Sequence, residues 1–79
     1  MKQRGPGRKP GTYTQAARVL RLHAALVEGR GRVEVAAVLA SNDICQRTLR
    51  RDIEAIMEAF PRQFVFLSGG FVIMRERMR

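Results

Sequence analysis

Leu49, Ile53, Ile56 and Phe60 recur at steps of four, three and four, and Pro61 follows directly. That spacing lays the apolar residues in one stripe along an amphipathic helix. The proline closes it, because the residue before a proline avoids helical geometry. A second constraint comes at once. Phe64, Val65, Phe66 and Leu67 are strand formers, Ser68-Gly69-Gly70 tolerates positive φ, and Phe71, Val72, Ile73 and Met74 make a return strand. That is a β-hairpin. A helix tied to a hairpin by so short a link restricts the chain to a small mixed fold.

The upstream segments complete it. Thr12 and Gln15 have capping-box spacing, which predicts a helix starting near Thr12 or Thr14. Ala16, Val19, Leu20, Leu22, Leu26 and Val27 supply its apolar face, Gly29 stops it, and Arg30-Gly31-Arg32 is a tight basic turn. Arg32-Val33-Glu34-Val35 alternates polar and apolar, as a very short strand does. Residues 35–40 follow as a short helix with Val35, Val38 and Leu39 inward, and Ser41-Asn42-Asp43 is a turn by composition. Asp43 and Gln46 again have capping-box spacing, so the long helix is expected over about 44–60.

Two helices joined by a tight turn make a helix-turn-helix, and a hairpin after the second adds a wing. The strand at Val33 can pair with the hairpin. The expected fold class is therefore α+β, mainly α: a winged helix-turn-helix of three helices and a short β-hairpin wing. It occupies residues 12–75, after a flexible basic N-terminal arm at 1–11 and before a charged C-terminal tail at 76–79.

Charge suggests the partner. Fifteen basic residues against seven acidic ones give a formal net charge of +8, a balance that points to a polyanion. Lys2, Arg4, Arg8 and Lys9 stand in the arm without an acid, among glycines and prolines that prevent regular structure. Gly7-Arg8-Lys9-Pro10 resembles in part the Gly-Arg-Pro core with which AT-hook peptides lie in a minor groove, though Lys9 stands where that core has proline. In the long helix Arg47, Arg50 and Arg51 come first, and Asp52, Glu54 and Glu58 come after. The helix dipole favours the reverse order. The order therefore answers to something outside the helix, with the arginine half expected to face a polyanion and the acidic half to lie back over the protein.

Other function classes are disfavoured. One cysteine, Cys45, and one histidine, His23, cannot make an internal disulfide or a zinc finger. His23 reads as a helix-surface or half-buried histidine. There is no carboxylate pair in a Gly-rich setting, no nucleophile beside a base and no phosphate loop, so an enzyme is not expected. No cofactor and no small-molecule site is expected either. No apolar run is long enough to span a membrane, and no secretory signal pattern opens the chain.

Residues 21–74 resemble the winged helix-turn-helix at the N-terminus of bacterial DeoR-type and WYL-domain transcriptional regulators. The motif that carries the resemblance is Arg47-Thr48-Leu49-Arg50-Arg51-Asp52-Ile53-Glu54-Ala55-Ile56, similar to the family's S-x-R-T-[IV]-x-R-D-[IL]-x-x-L. Gly29-Arg30-Gly31-Arg32-Val33 resembles the loop and strand before the second helix, and Gly69-Gly70-Phe71-Val72-Ile73 resembles the Gly-Gly-Tyr segment of the wing. There are departures. Cys45 stands where the family has a capping serine, Glu34 where a serine or threonine caps the second helix, and Asn42-Asp43-Ile44 where the turn is Leu-Gly-Val. The family's C-terminal sensing domain has no counterpart here, which leaves a free-standing small regulator or a piece of a longer one.

The resemblance implies a sequence-specific, double-stranded DNA-binding transcriptional regulator in the bacterial cytoplasm, associated with the nucleoid. Residues at the start of a recognition helix meet base edges in the major groove. Gln46, Arg47 and Arg50 are the expected base contacts, since Gln pairs bidentately with adenine and Arg with guanine. Thr48, Arg51, Arg30 and Arg32 are the expected phosphate contacts. Ser68, Gly69 and Gly70 form the wing tip, with Arg62 and Arg75 to supply charge near it. Asp52 is expected to orient an arginine of a neighbouring helix. A homodimer is expected, through the hairpin or the first helix. The alternatives are a winged-helix protein–protein adaptor, with Gln46 to Arg51 meeting an acidic partner, and a non-specific nucleic-acid-binding protein. Cys45 reads as a small residue standing in for serine. A redox role for a thiol at a helix N-terminus is the sharper alternative.

Overall fold

The computed structural model describes residues 13–77. The arm at 1–11, Thr12 and the last two residues of the expected tail lie outside them. Three helices and a three-stranded antiparallel sheet follow in the order α1 (Gln15–Glu28), β1 (Arg32–Glu34), α2 (Val35–Asn42), α3 (Gln46–Ala59), β2 (Gln63–Ser68) and β3 (Phe71–Glu76). The strands lie β1-β3-β2. As expected, the strand at Val33 joins the hairpin, with Val33 opposite Val72.

The core is wholly aliphatic. Val19, Leu22 and Leu26 from α1, Val35 and Val38 from α2, Leu49, Ile53 and Ile56 from α3, and Val65 and Val72 from the hairpin are buried together. Each fully buried side chain of this kind contributes roughly 1.5–3 kcal/mol. Phe60 ends the α3 stripe half-buried, its ring stacked on His23 with centroids 4.2 Å apart. His23 Nε2 lies 3.0 Å from Gln63 Oε1, so this histidine joins α1 to the start of the hairpin.

Several local readings change. The buried face of α1 is narrower than its apolar composition suggests: Leu20 is 64% and Val27 57% exposed, and Ala16 is exposed too. The core meets α1 along Val19, Leu22 and Leu26, whereas Ala16, Leu20 and Val27 lie on the outer flank. Thr14 caps α1, its Oγ1 accepting from the Ala17 N–H at 3.2 Å. At its far end, α2 runs through Ser41 and Asn42, which were expected as turn. Asn42 is buried because its Nδ2 donates to the Val38 carbonyl at 3.0 Å, while Leu39 is only half-buried.

Asp43 has the other role open to it. With φ 53° and ψ 52° it is the left-handed C-cap of α2, its N–H turned back to the carbonyls of Leu39 and Ala40. Aspartate tolerates that conformation better than most residues. It therefore does not cap α3, which starts at Gln46 instead of about Ile44, with Cys45 at the cap position. The hairpin turn is two residues, Gly69 and Gly70, with φ of 59° and 84°. Two successive positive φ values match the right-handed twist of the strands. Arg75 and Glu76, expected as the boundary and start of a tail, belong to β3 opposite Phe64 and Gln63.

Candidate nucleic-acid interface

The buried stripe fixes how α3 is rotated. Leu49, Asp52, Ile53 and Ile56 face inward. With 3.6 residues per turn, Arg47, Arg51, Glu54 and Glu58 fall on the opposite side, and all four are exposed. Arg50 lies on the flank toward the hairpin, bordering a cleft with Ile53, Glu54, Met57, Phe66 and Leu67. Thr48 lies on the other flank, half-buried, and Gln46 is exposed at the first helical position. Of the acids expected to lie back over the protein, only Asp52 does so.

The arginines divide into held and free. Arg18 Nε donates to Asp52 Oδ2 at 2.7 Å and Arg18 Nη2 to Asp52 Oδ1 at 3.2 Å, the forked geometry that suits a carboxylate. Gln15 Nε2 adds a longer bond to the same carboxylate, and Arg18 Nη1 donates to the Tyr13 carbonyl. The hydrogen bond to Asp52, with its charge attraction, pushes the Arg18 pKa above its ordinary value against the opposing effect of burial. Asp52 thus orients an arginine of the neighbouring helix, as expected. Arg21 donates to Asn42 Oδ1 at 3.0 Å and stacks 4.2 Å over the Tyr13 ring. Arg47, Arg50 and Arg51 form no ion pair among the described residues, where Arg18–Asp52 is the only one.

At the helix start, Cys45 makes no side-chain cap bond. The N–H groups of the first turn therefore remain open to an outside acceptor. The thiol lies 3.5 Å from Thr48 Oγ1. That hydroxyl, and then the backbone N–H groups of Thr48 and Arg47, hold the thiol pKa below its ordinary value. The N–H groups act on the sulfur by proximity, short of a formed cap bond.

The hairpin turn lies at the same end of the molecule as the start of α3. From Phe60 back to Arg50 the helix rises about 15 Å, and from Gln63 forward to Leu67 the strand rises about 13 Å, so the two arrive together at their shared cleft. Ser68, Gly69 and Gly70 are exposed there. The Gly70 carbonyl accepts the Val35 N–H at 2.9 Å, which pins the turn to the first residue of α2. Sequence reasoning missed that bond, because a backbone contact leaves no mark in residue type.

Arg62 and Arg75 do not supply the wing tip, since both lie at the opposite end of the hairpin, where the Arg77 N–H donates to the Arg62 carbonyl. Arg32 does: its guanidinium sits 4.0 Å above the ring of Phe71, the residue after Gly70. Arg30 borders a separate cleft with Val27, Gln63, Met74 and Glu76 at the hairpin base. The structure thus gathers Gln46, Arg47, Thr48, Arg50 and Arg51 with the Gly69-Gly70 turn and Arg32, and sets Arg30 apart. Lys2, Arg4, Arg8 and Lys9 lie outside the described residues.

No protein family, curated protein or solved structure matches this chain. Among the described residues no helix is long and apolar enough to cross a membrane. Among the same residues no group of three His, Cys, Asp or Glu side chains is placed to hold a metal ion.

Proposed function

We propose that this chain is a winged helix-turn-helix transcriptional regulator, similar to those of DeoR-type and WYL-domain proteins, that binds double-stranded DNA sequence-specifically in the bacterial cytoplasm. The observation that carries the reading is the division among the arginines. The arginines of α1 are held by Asp52, Asn42 and Tyr13, whereas the three of α3 are exposed without an acidic partner among the described residues.

In this reading α3 enters the major groove start-first. Gln46, Arg47 and Arg50 meet base edges, Arg51 and Thr48 meet phosphates, and the uncapped N–H groups after Cys45 donate to a further phosphate oxygen. The Gly69-Gly70 turn approaches the backbone or minor groove, with Arg32 beside it. Two copies bind a palindromic site. Leu20 and Val27 offer them an uncharged surface, in a molecule whose net charge of +8 repels a second copy elsewhere.

The test is selection of bound duplexes from a randomised DNA library, followed by sequencing, with the natural chain and with Arg47→Ala and Arg50→Ala. The natural chain is expected to enrich a motif with two-fold symmetry. Each variant is expected to lose about 1–3 kcal/mol of discrimination at one base position. Equal recovery of all sequences by the natural chain would replace this reading with non-specific binding.

A further inference from the structure

The four phenylalanines of the chain are all absent from the buried core, which is built from Val, Leu and Ile. Phenylalanine is normally the largest single contributor to a small core. Here three of the four are set on the sheet face that the helices leave uncovered. Side chains alternate between the faces of a strand. Val65 and Val72 face the core, so Phe64 and Phe66 on β2, and Phe71, Ile73 and Arg75 on β3, face away. Register places Arg32 of β1 opposite Ile73, on the same outer face.

Three arginines interleave with these rings. Arg32 lies 4.0 Å from the Phe71 ring centre, Arg75 5.5 Å from that of Phe66, and Arg77 5.6 Å from that of Phe64. Phe64 and Phe66 stand side by side with centroids 5.3 Å apart, and Phe64 is 44% exposed. The contacts of Arg75 and Arg77 are long, and such pairs are weak at exposed sites. A phosphate can therefore draw either guanidinium off its ring without disturbing the sheet. Glu34 is the only acid that the strand alternation puts on this face, at its far edge opposite Phe71.

We infer that the uncovered sheet face, with Phe64, Phe66 and Phe71 as stacking platforms and Arg32, Arg75 and Arg77 as phosphate partners, is a binding surface for single-stranded nucleic acid. Unpaired bases offer flat apolar faces to aromatic rings, and their backbone supplies the anion for the arginines. Duplex DNA does not fit this surface, because its bases are already stacked inside the helix. The strand alternation turns this surface away from the core; it shares Arg32 with the duplex interface proposed above, and Phe66 also borders the cleft beside Arg50, whereas Phe64, Arg75 and Arg77 belong to it alone.

The experiment is fluorescence anisotropy of dye-labelled oligo-dT and oligo-U with the full chain. Phe64→Leu/Phe66→Leu keeps apolar volume on the strand and removes the rings; circular dichroism confirms that it folds. The natural chain is expected to bind saturably, and the double variant roughly tenfold or more weakly. Arg75→Gln/Arg77→Gln is expected to flatten the salt dependence. A preference for dT or for U identifies the strand as DNA or RNA, and either supports the proposal. Absence of saturable binding, or a folded double variant with unchanged affinity, overturns it. So does an equal loss in Arg47→Ala/Arg50→Ala, which would place the strand on α3.

Discussion

Arg18 and Asp52 form a forked pair across the α1–α3 interface, the Asp52 side chain 2% exposed and the Arg18 side chain 16%. One face of Asp52 is thus committed to holding two helices together, within the same turn as arginines that are free. Asp52→Ala is expected to destabilise the fold by about 3 kcal/mol, the lower end for a buried pair because Arg18 keeps some solvent. Arg18→Met/Asp52→Leu is expected to recover most of that loss. Urea denaturation followed by circular dichroism measures both.

The thiol of Cys45 is held below its ordinary pKa of 9.0, first by Thr48. A depressed folded-state value means that folding favours the thiolate. The associated stability is full above the ordinary pKa and is lost as pH falls through the depressed one. Alkylation of Cys45 by iodoacetamide, followed against pH, is expected to show a midpoint below that of the urea-unfolded chain. Thr48→Val is expected to move the midpoint upward. An unchanged midpoint in that variant would mean that the hydroxyl is not the cause.

Gly31 and Gly69 both have positive φ, 87° and 59°, but differ in their surroundings. A Cβ on Gly31 would lie 2.7 Å from the Met74 carbonyl oxygen, whereas one on Gly69 meets nothing within 4 Å. Gly31→Ala is expected to cost about 2 kcal/mol or more, from backbone strain and displacement of β3. Gly69→Asn creates the Asn-Gly pair favoured in two-residue hairpin turns and is expected to be neutral or slightly stabilising. Thermal melts of the two variants separate these outcomes.

Duplex binding is expected to weaken with salt. If about six cations engage phosphates, the slope of log affinity against log salt is roughly −5. Removing residues 1–11, which carry Lys2, Arg4, Arg8 and Lys9, is expected to flatten it by two units or more. Arg51→Ala is expected to flatten it by about one, with no change in the preferred sequence. Gel-shift titrations over a range of salt concentrations read both.

The elements were legible because their signals are local and strong. The stripe from Leu49 to Phe60, the stop at Pro61 and the glycine pair at the hairpin turn each restrict the backbone on their own. The Arg18–Asp52 pair was legible from one side only, since a buried aspartate demands a partner but does not name it. The start of α3 was misread because Asp43 satisfies two local rules, N-cap by spacing and left-handed C-cap by residue type. Only the packing of α2 chooses between them. Leu20 and Val27 were misplaced because composition marks α1 as apolar without saying how wide an arc its neighbours cover. The unbroken apolar run from Phe64 to Leu67 concealed its alternation, so the outward phenylalanines became visible only once Val65 was seen in the core.

The middle strand of the sheet is the last of the three in the chain. During synthesis β1 and β2 both emerge before β3, and neither touches the other in the finished order. At five to twenty residues per second, roughly one to three seconds separate the appearance of Ala59 from that of Glu76. For the first two-thirds or so of that interval the Gly70 carbonyl does not yet exist to meet Val35, and until β3 is complete α3 carries its arginines beside an unfinished sheet. The sheet is therefore closed only by the last strand to be made, and the turn that anchors the start of α2 forms no earlier than that strand.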